Sequence, residues 1–130
     1  MKIGRREFVA VSGAAITYAL FPSQTISGKT TMYGLIGKAT AVEGKRDELI
    51  RILLEGVTGM PGCLSYVVAK DLANQNTIWI TEVWDSKESH AASLKLPSVK
   101  AAIAKGRPLF ASFDMHQITE PVGGHGLPKK

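Results

Sequence analysis

The chain has a single cysteine, Cys63, in 130 residues, so no intrachain disulfide can form and no cysteine cluster can hold a metal. The fold therefore does not lean on disulfides, whatever compartment it occupies. Histidine is also scarce: His90, His116 and His125 do not stand at metal-ligand spacing, so no metal is expected. The only extended apolar stretch before the body of the chain, Val9 to Phe21, falls short of the roughly 20 residues that span a bilayer. A formal charge of +5 hints at an acidic partner, but its distribution weakens the hint. Lys2, Arg5 and Arg6 near the start and Lys129 with Lys130 at the end carry most of the excess. No basic stripe interleaved with aromatics is present, so a nucleic-acid partner is not expected. Gly37-Lys38-Ala39-Thr40 lacks both the upstream glycine and the strand-to-helix position of a phosphate loop. What remains is ordinary for a globular protein, 45% hydrophobic and 21% charged, with room for one domain and one core.

The first residues, MKIGRREFVAVSGAAITYALFPSQTISGKT, carry Arg5-Arg6-Glu7-Phe8 ahead of a mildly apolar run. This resembles the twin-arginine (Tat) class of bacterial export signals, departing from it at Gly4 and Ala10. No Ala-x-Ala site follows, and cleavage would fall between Pro22 and Lys29. The alternatives are an amphipathic arm or an uncleaved anchor. The expected organisation is a leader over 1–28, a folded domain over 29–120 and a flexible tail over 121–130. A periplasmic or exported location follows if the leader works, and a cytoplasmic one if it does not. The membrane is a partner only through that signal.

The body reads as strand Met32–Val42, helix Lys45–Thr58, strand Cys63–Lys70, strand Thr77–Trp84, helix Ser86–Leu94, helix Pro97–Lys105 and strand Phe110–Thr119. Leu49, Ile50, Leu53, Leu54 and Val57 make one apolar face of the first helix, with Asp47 placed to reach Arg51 at i+4. Gly56, Gly59, Pro61 and Gly62 end that helix, Ser86 is a natural N-cap and Pro97 starts a third helical segment. The polar loop Asp71–Asn76 should join two antiparallel strands. The order β-α-β, β-α-β predicts an α+β fold, a ferredoxin-like split βαβ sandwich with an antiparallel sheet. Leu64, Tyr66 and Val68 alternate with Cys63, Val67 and Ala69, and Ile78 and Ile80 with Trp79 and Val83. Both sheet faces thus carry apolar residues, which predicts a second subunit over the outer face and a homodimer.

Three segments resemble the antibiotic biosynthesis monooxygenase family, which includes the quinol monooxygenases. They are Val42-Glu43-Gly44-Lys45-Arg46-Asp47-Glu48-Leu49, Pro61-Gly62-Cys63, and Glu82-Val83-Trp84-Asp85-Ser86 leading to Leu96-Pro97-Ser98-Val99. The resemblance covers about residues 32 to 119 and implies a dimeric α/β barrel with a mostly apolar pocket between sheet and helices. It also implies oxidation of a quinol or polycyclic phenol by O2 without metal, flavin or other cofactor. An electron-rich phenolate can reduce O2 itself, so the protein need only bind the ring, assist deprotonation and exclude water. Many relatives carry a histidine in the second helix near the place of Ser93, and here His90 stands one turn earlier. Haem-degrading cousins place a ligating histidine in the third helical segment, where Val99 to Lys105 has none, so haem is not expected.

The candidate catalytic residues are His90, a general base with an unperturbed pKa near neutrality, and Glu82, a carboxylate in a buried strand. For Glu82 the alternative is a salt bridge to Arg107 or to a lysine across the dimer; for His90 it is a surface position. Trp79, Trp84, Tyr66 and Arg107 are candidates for binding substrate. The tryptophans can stack on a ring or pack in the core, Tyr66 can donate into the pocket or pack, and Arg107 can meet a ring oxygen or form a surface ion pair. The competing function is a non-catalytic dimeric barrel that binds a small apolar ligand.

Overall fold

The computed structural model describes residues 31–128; the leader assigned to 1–28 lies outside them. Strand β1 (Tyr33–Ala41) is followed by helix α1 (Arg46–Gly56), strands β2 (Cys63–Lys70) and β3 (Thr77–Trp84), helices α2 (Lys87–Ser93) and α3 (Pro97–Gly106), a 3-10 turn (Arg107–Leu109) and strand β4 (Phe110–Thr119). The sheet is antiparallel with the order β2-β3-β1-β4, the α+β ferredoxin-like arrangement expected from the element order. No helix or strand follows Thr119 among the described residues.

Local chemistry explains most boundaries. Ser86 Oγ accepts the Ser89 N–H at 3.1 Å and opens α2. Pro97 supplies the first turn of α3, where its missing N–H costs nothing. Gly62 has φ 82°, and a Cβ there would overlap the Ser89 side chain, so only glycine lets β2 begin beneath α2. The loop Asp71–Asn76 closes on itself, with Asp71 Oδ1 accepting the N–H groups of Ala73 (2.7 Å) and Asn74 (3.0 Å). Arg46, from the first turn of α1, donates through Nη1 to the carbonyls of Asp71 (3.1 Å), Asn74 (3.0 Å) and Thr77 (3.3 Å).

The helices cover one face of the sheet over two apolar clusters. Leu35, Met60, Trp84 and Val99 form one, and Ala39, Ala41, Leu49 and Ile78 the other. The buried stripe of α1 is Leu49, Ile52 and Gly56, rotated from the expected face; Leu54 is 48% exposed. The cause is Gly56, whose Cα lies so near Ala102 of α3 that a Cβ would overlap it, turning the Ile52 side inward. Asp47 does not reach Arg51. It pairs with Lys70 at 3.0 Å, and Arg51 pairs with Glu55 at 2.9 Å.

The simple alternation expected for β2 is broken by a bulge. Cys63 stands opposite Trp84 and Ser65 opposite Val83, leaving Leu64 as the extra residue. Cys63 therefore shares the helix-side face with Tyr66, and both pack on the Trp84 cluster. The outer face carries Trp79, with Lys38 Nζ 5.2 Å from the ring centroid and the indole N–H donating to Asp71 Oδ2 at 2.8 Å. Val67 on the same face is 50% exposed, so one chain covers this face only in part.

Candidate active site

Strand parity places the reactive groups. In β3, Ile78, Ile80, Glu82 and Trp84 point to the helix side, while Trp79 points to the other. Glu82 stands across from Leu35 of β1 and Tyr66 of β2, so its carboxylate rises from a mostly apolar floor. Its side chain is 16% exposed, and Oε2 accepts the Trp84 indole N–H at 2.8 Å. Trp84 is buried, which leaves this carboxylate as the natural acceptor for a donor that has no water.

The α2 helix brings His90 over the same strand. His90 Nε2 lies 3.9 Å from Glu82 Oε2, beyond hydrogen-bond range but within that of an ion pair when the imidazole is protonated. The ring is held between Tyr33 and Trp84, each with a centroid separation of 5.4 Å, the latter edge-on. A hydroxyl oxygen about 2.8 Å from both polar atoms would subtend roughly a right angle, a geometry that one phenol or water oxygen meets readily. Ser93 is buried and spends its hydroxyl on the His90 carbonyl at 2.6 Å.

Burial holds the Glu82 carboxyl above the ordinary carboxylate range, against the opposing pull of the Trp84 hydrogen bond and of His90 and His116. Burial also raises the Tyr66 phenol, with the Glu82 charge adding to the effect, so Tyr66 stays a neutral donor. The Cys63 thiol is raised by burial as well, against a Ser65 backbone hydrogen bond. A carboxyl raised in this way is a stronger proton acceptor than an ordinary surface carboxylate, and it stands beside an imidazole.

Two apolar cavities meet at Glu82. One of about 110 Å³ lies under the helices, walled by Tyr66, Trp84, His90, Ser93 and the apolar residues of α1 and α3. The other, of about 280 Å³, lies toward β4, between Gly37, Ile80, Phe113 and His116. Larger grooves run outside α1, along Asp47, Arg51 and Lys70, and hold none of these groups. Among the described residues no group of three or more His, Cys, Asp or Glu side chains is placed to hold a metal ion.

Of the residues singled out from sequence, Glu82, His90, Trp84 and Tyr66 come together. Trp79 does not: it occupies the opposite sheet face, bound to Asp71 and Lys38. Arg107 is exposed in the 3-10 turn and lines neither cavity; the ion pair to Glu82 does not form, and His90 stands there instead. Three residues around the site escaped sequence reasoning: Tyr33, which packs on His90, and Gly37 and His116, which share a cavity with Glu82. Only the β1–β4 register, which sets His116 beside Gly37, reveals the last two.

A family model for antibiotic biosynthesis monooxygenases matches residues 32–105. The chain is 65% identical to a crystal structure provisionally assigned as an antibiotic biosynthesis monooxygenase from Chloroflexus aurantiacus J-10-fl, covering 75% of this chain and 100% of that one, with a TM-score of 0.74. The fold is shared with a similarly assigned protein from Caulobacter crescentus CB15, at 19% identity and TM-score 0.62 over 74% of this chain and 92% of that one. It is also shared with a point mutant of SnoaB, a cofactor-independent oxygenase from Streptomyces nogalater, at 14% identity and TM-score 0.62 over 74% and 98%. No curated protein matches the chain significantly. The family model spans more than half the sequence, and a relative of 65% identity is covered along its whole length: the chain belongs to the antibiotic biosynthesis monooxygenase family.

Proposed function

We propose that this protein is a cofactor-independent monooxygenase that oxidises quinols or related phenolic aromatics with O2. The observation that carries the reading is the largely buried Glu82 carboxylate, 3.9 Å from His90 at the wall shared by two apolar cavities. The shared fold with SnoaB, itself described as a cofactor-independent oxygenase, supports the same chemistry.

Glu82, helped by His90, accepts the phenolic proton. The phenolate then passes one electron to O2, and the resulting radical pair closes a carbon–oxygen bond to give a hydroperoxide. Loss of the hydrogen on that carbon to the base breaks the O–O bond, one oxygen staying as a carbonyl and the other leaving as water. For 1,4-dihydroxynaphthalene the balance is one quinol and one O2 to one hydroxynaphthoquinone and one water, with all four electrons drawn from the substrate. The apolar walls favour this sequence by keeping water from the radical pair, and Tyr66 offers a neutral O–H to developing oxygen charge.

The test is O2 uptake with a panel of hydroquinones, comparing wild type with His90→Ala and Glu82→Gln. Uptake that falls at least tenfold in Glu82→Gln is the expected result. Absence of uptake with every quinol, alongside tight binding of an aromatic, would instead establish the protein as a non-catalytic binder.

A further inference from the structure

We propose that the aromatic ring of the substrate is held on the β4 side of Glu82, in the cavity floored by Gly37, and that His116 is the second imidazole of the site. The inference rests on the reading above for the nature of the ligand, but its location is argued from the sheet itself.

Four neighbouring strands meet on the rungs that carry Glu82 and Gly37. On one, Ile118, Leu35, Glu82 and Tyr66 stand side by side across β4, β1, β3 and β2. On the next, His116, Gly37, Ile80 and Val68 do so. All of these positions face the helix side, and at Gly37 the row has no side chain. The gap between His116 and Ile80 is the 280 Å³ cavity, which reaches Glu82 diagonally. Backbone conformation does not call for glycine here, since Gly37 has no left-handed φ, and an added Cβ would meet only ordinary contacts at 3.8 and 3.9 Å. The absence of a side chain at this position therefore serves the space above it.

Size separates the two cavities. An apolar cavity of about 150 Å³ is known to accept benzene, and drug-sized ligands occupy about 300 Å³ or more. The helix-side cavity, at about 110 Å³, is too small for a substituted ring, whereas the β4-side cavity admits one or two fused rings. Access differs too. No helix residue lines the β4-side cavity, so it opens at the sheet edge, where Phe113 is 74% exposed and stacks on Phe110 at 4.5 Å. Its wall is mostly apolar, and the titratable side chains in it are Glu82 and His116, with Lys38. This matches a flat aromatic bearing a hydroxyl, the ring against Phe113 and Ile80 and the hydroxyl between Glu82 and His116. His116 then acts on the substrate hydroxyl from the side opposite His90.

Binding of 1-naphthol to the full chain, measured by calorimetry, tests the location without requiring turnover. Wild type should bind, and Gly37→Leu, which fills the gap, should weaken binding at least tenfold. Val57→Phe, which fills the helix-side cavity, should change it less than threefold. Phe113→Ala alters an exposed side chain and keeps the test valid if Gly37→Leu does not fold; it should weaken binding severalfold. His116→Ala should weaken 1-naphthol while leaving 1-methoxynaphthalene, which has no hydroxyl proton, unaffected. Loss of binding in Val57→Phe with retention in Gly37→Leu, or no binding by wild type, would overturn the proposal. Binding that follows the expected pattern without O2 uptake from any quinol would keep the location and refute the oxygenase reading.

Discussion

The sharpest test of the site concerns the 2.8 Å bond from the Trp84 indole to Glu82 Oε2. Trp84→Phe removes that N–H and leaves a ring in the buried space. A hydrogen bond to a charged group is worth about 1.5–3 kcal/mol, and this one favours the ionised carboxylate over the neutral acid. Since about 1.4 kcal/mol is a factor of ten, the acid dissociation constant of Glu82 should fall by up to about ten- to a hundredfold. Glu82 is already held high by burial, so its titration should move higher still. The groups that face it, Tyr66, Cys63, His90 and His116, are the same in both proteins, so their influence cancels in the comparison. The assay is carbon-13 NMR of protein labelled at the glutamate carboxyl carbon, titrated from acid to alkaline pH, with Glu82→Gln to assign the resonance. The acid limb of O2 uptake should shift in the same direction. A Glu82 midpoint in Trp84→Phe equal to or below that of wild type would refute the argument, because the indole would then contribute nothing to the charge on this carboxylate.

Glu82→Gln should stabilise the fold at neutral and alkaline pH. A carboxyl raised by burial keeps its full stability contribution below its unfolded pKa and loses it as pH climbs through the folded one. The gap over wild type should therefore open by about 1.4 kcal/mol per pH unit across that window, and urea melts that stay superimposed at all pH values would show the burial cost to be absent. Sedimentation at micromolar concentration should give twice the chain mass, with the half-covered outer face carrying Val67 as the contact; a monomer would end the argument from two apolar faces.

Much of this fold was legible because its punctuation is strong. Gly62, Ser86 and Pro97 mark ends that backbone geometry imposes, and the structure places elements where they stand. The phase of α1 was not legible, since it depends on Gly56 meeting Ala102 of a helix that comes two strands later in the chain. Nor was the bulge at Leu64, which moves Cys63 to the helix side without any local signal. The site divides in the same way. Parity within β3 already set Trp79 opposite Glu82, so a pocket on one face could not use both. His116 looked idle because it lacks ligand spacing with the other histidines, and its neighbour Glu82 lies two strands away. Its place depends on a register that slips between Lys38 and Ala39, which no pattern in β4 announces.

The guanidinium of Arg46 has a consequence for how the chain can be altered. The loop Asp71–Asn76 is polar, exposed at Leu72 to Gln75 and joins adjacent strands, the profile of a segment that tolerates insertion. Yet three of its carbonyls, or those flanking it, converge on one nitrogen from a helix 25 or more residues earlier in the chain. Lengthening the loop would scatter those acceptors and strand a cation whose Nε is already buried without a partner. A tag or a circular permutation placed there would thus unfasten α1 from the far end of the sheet.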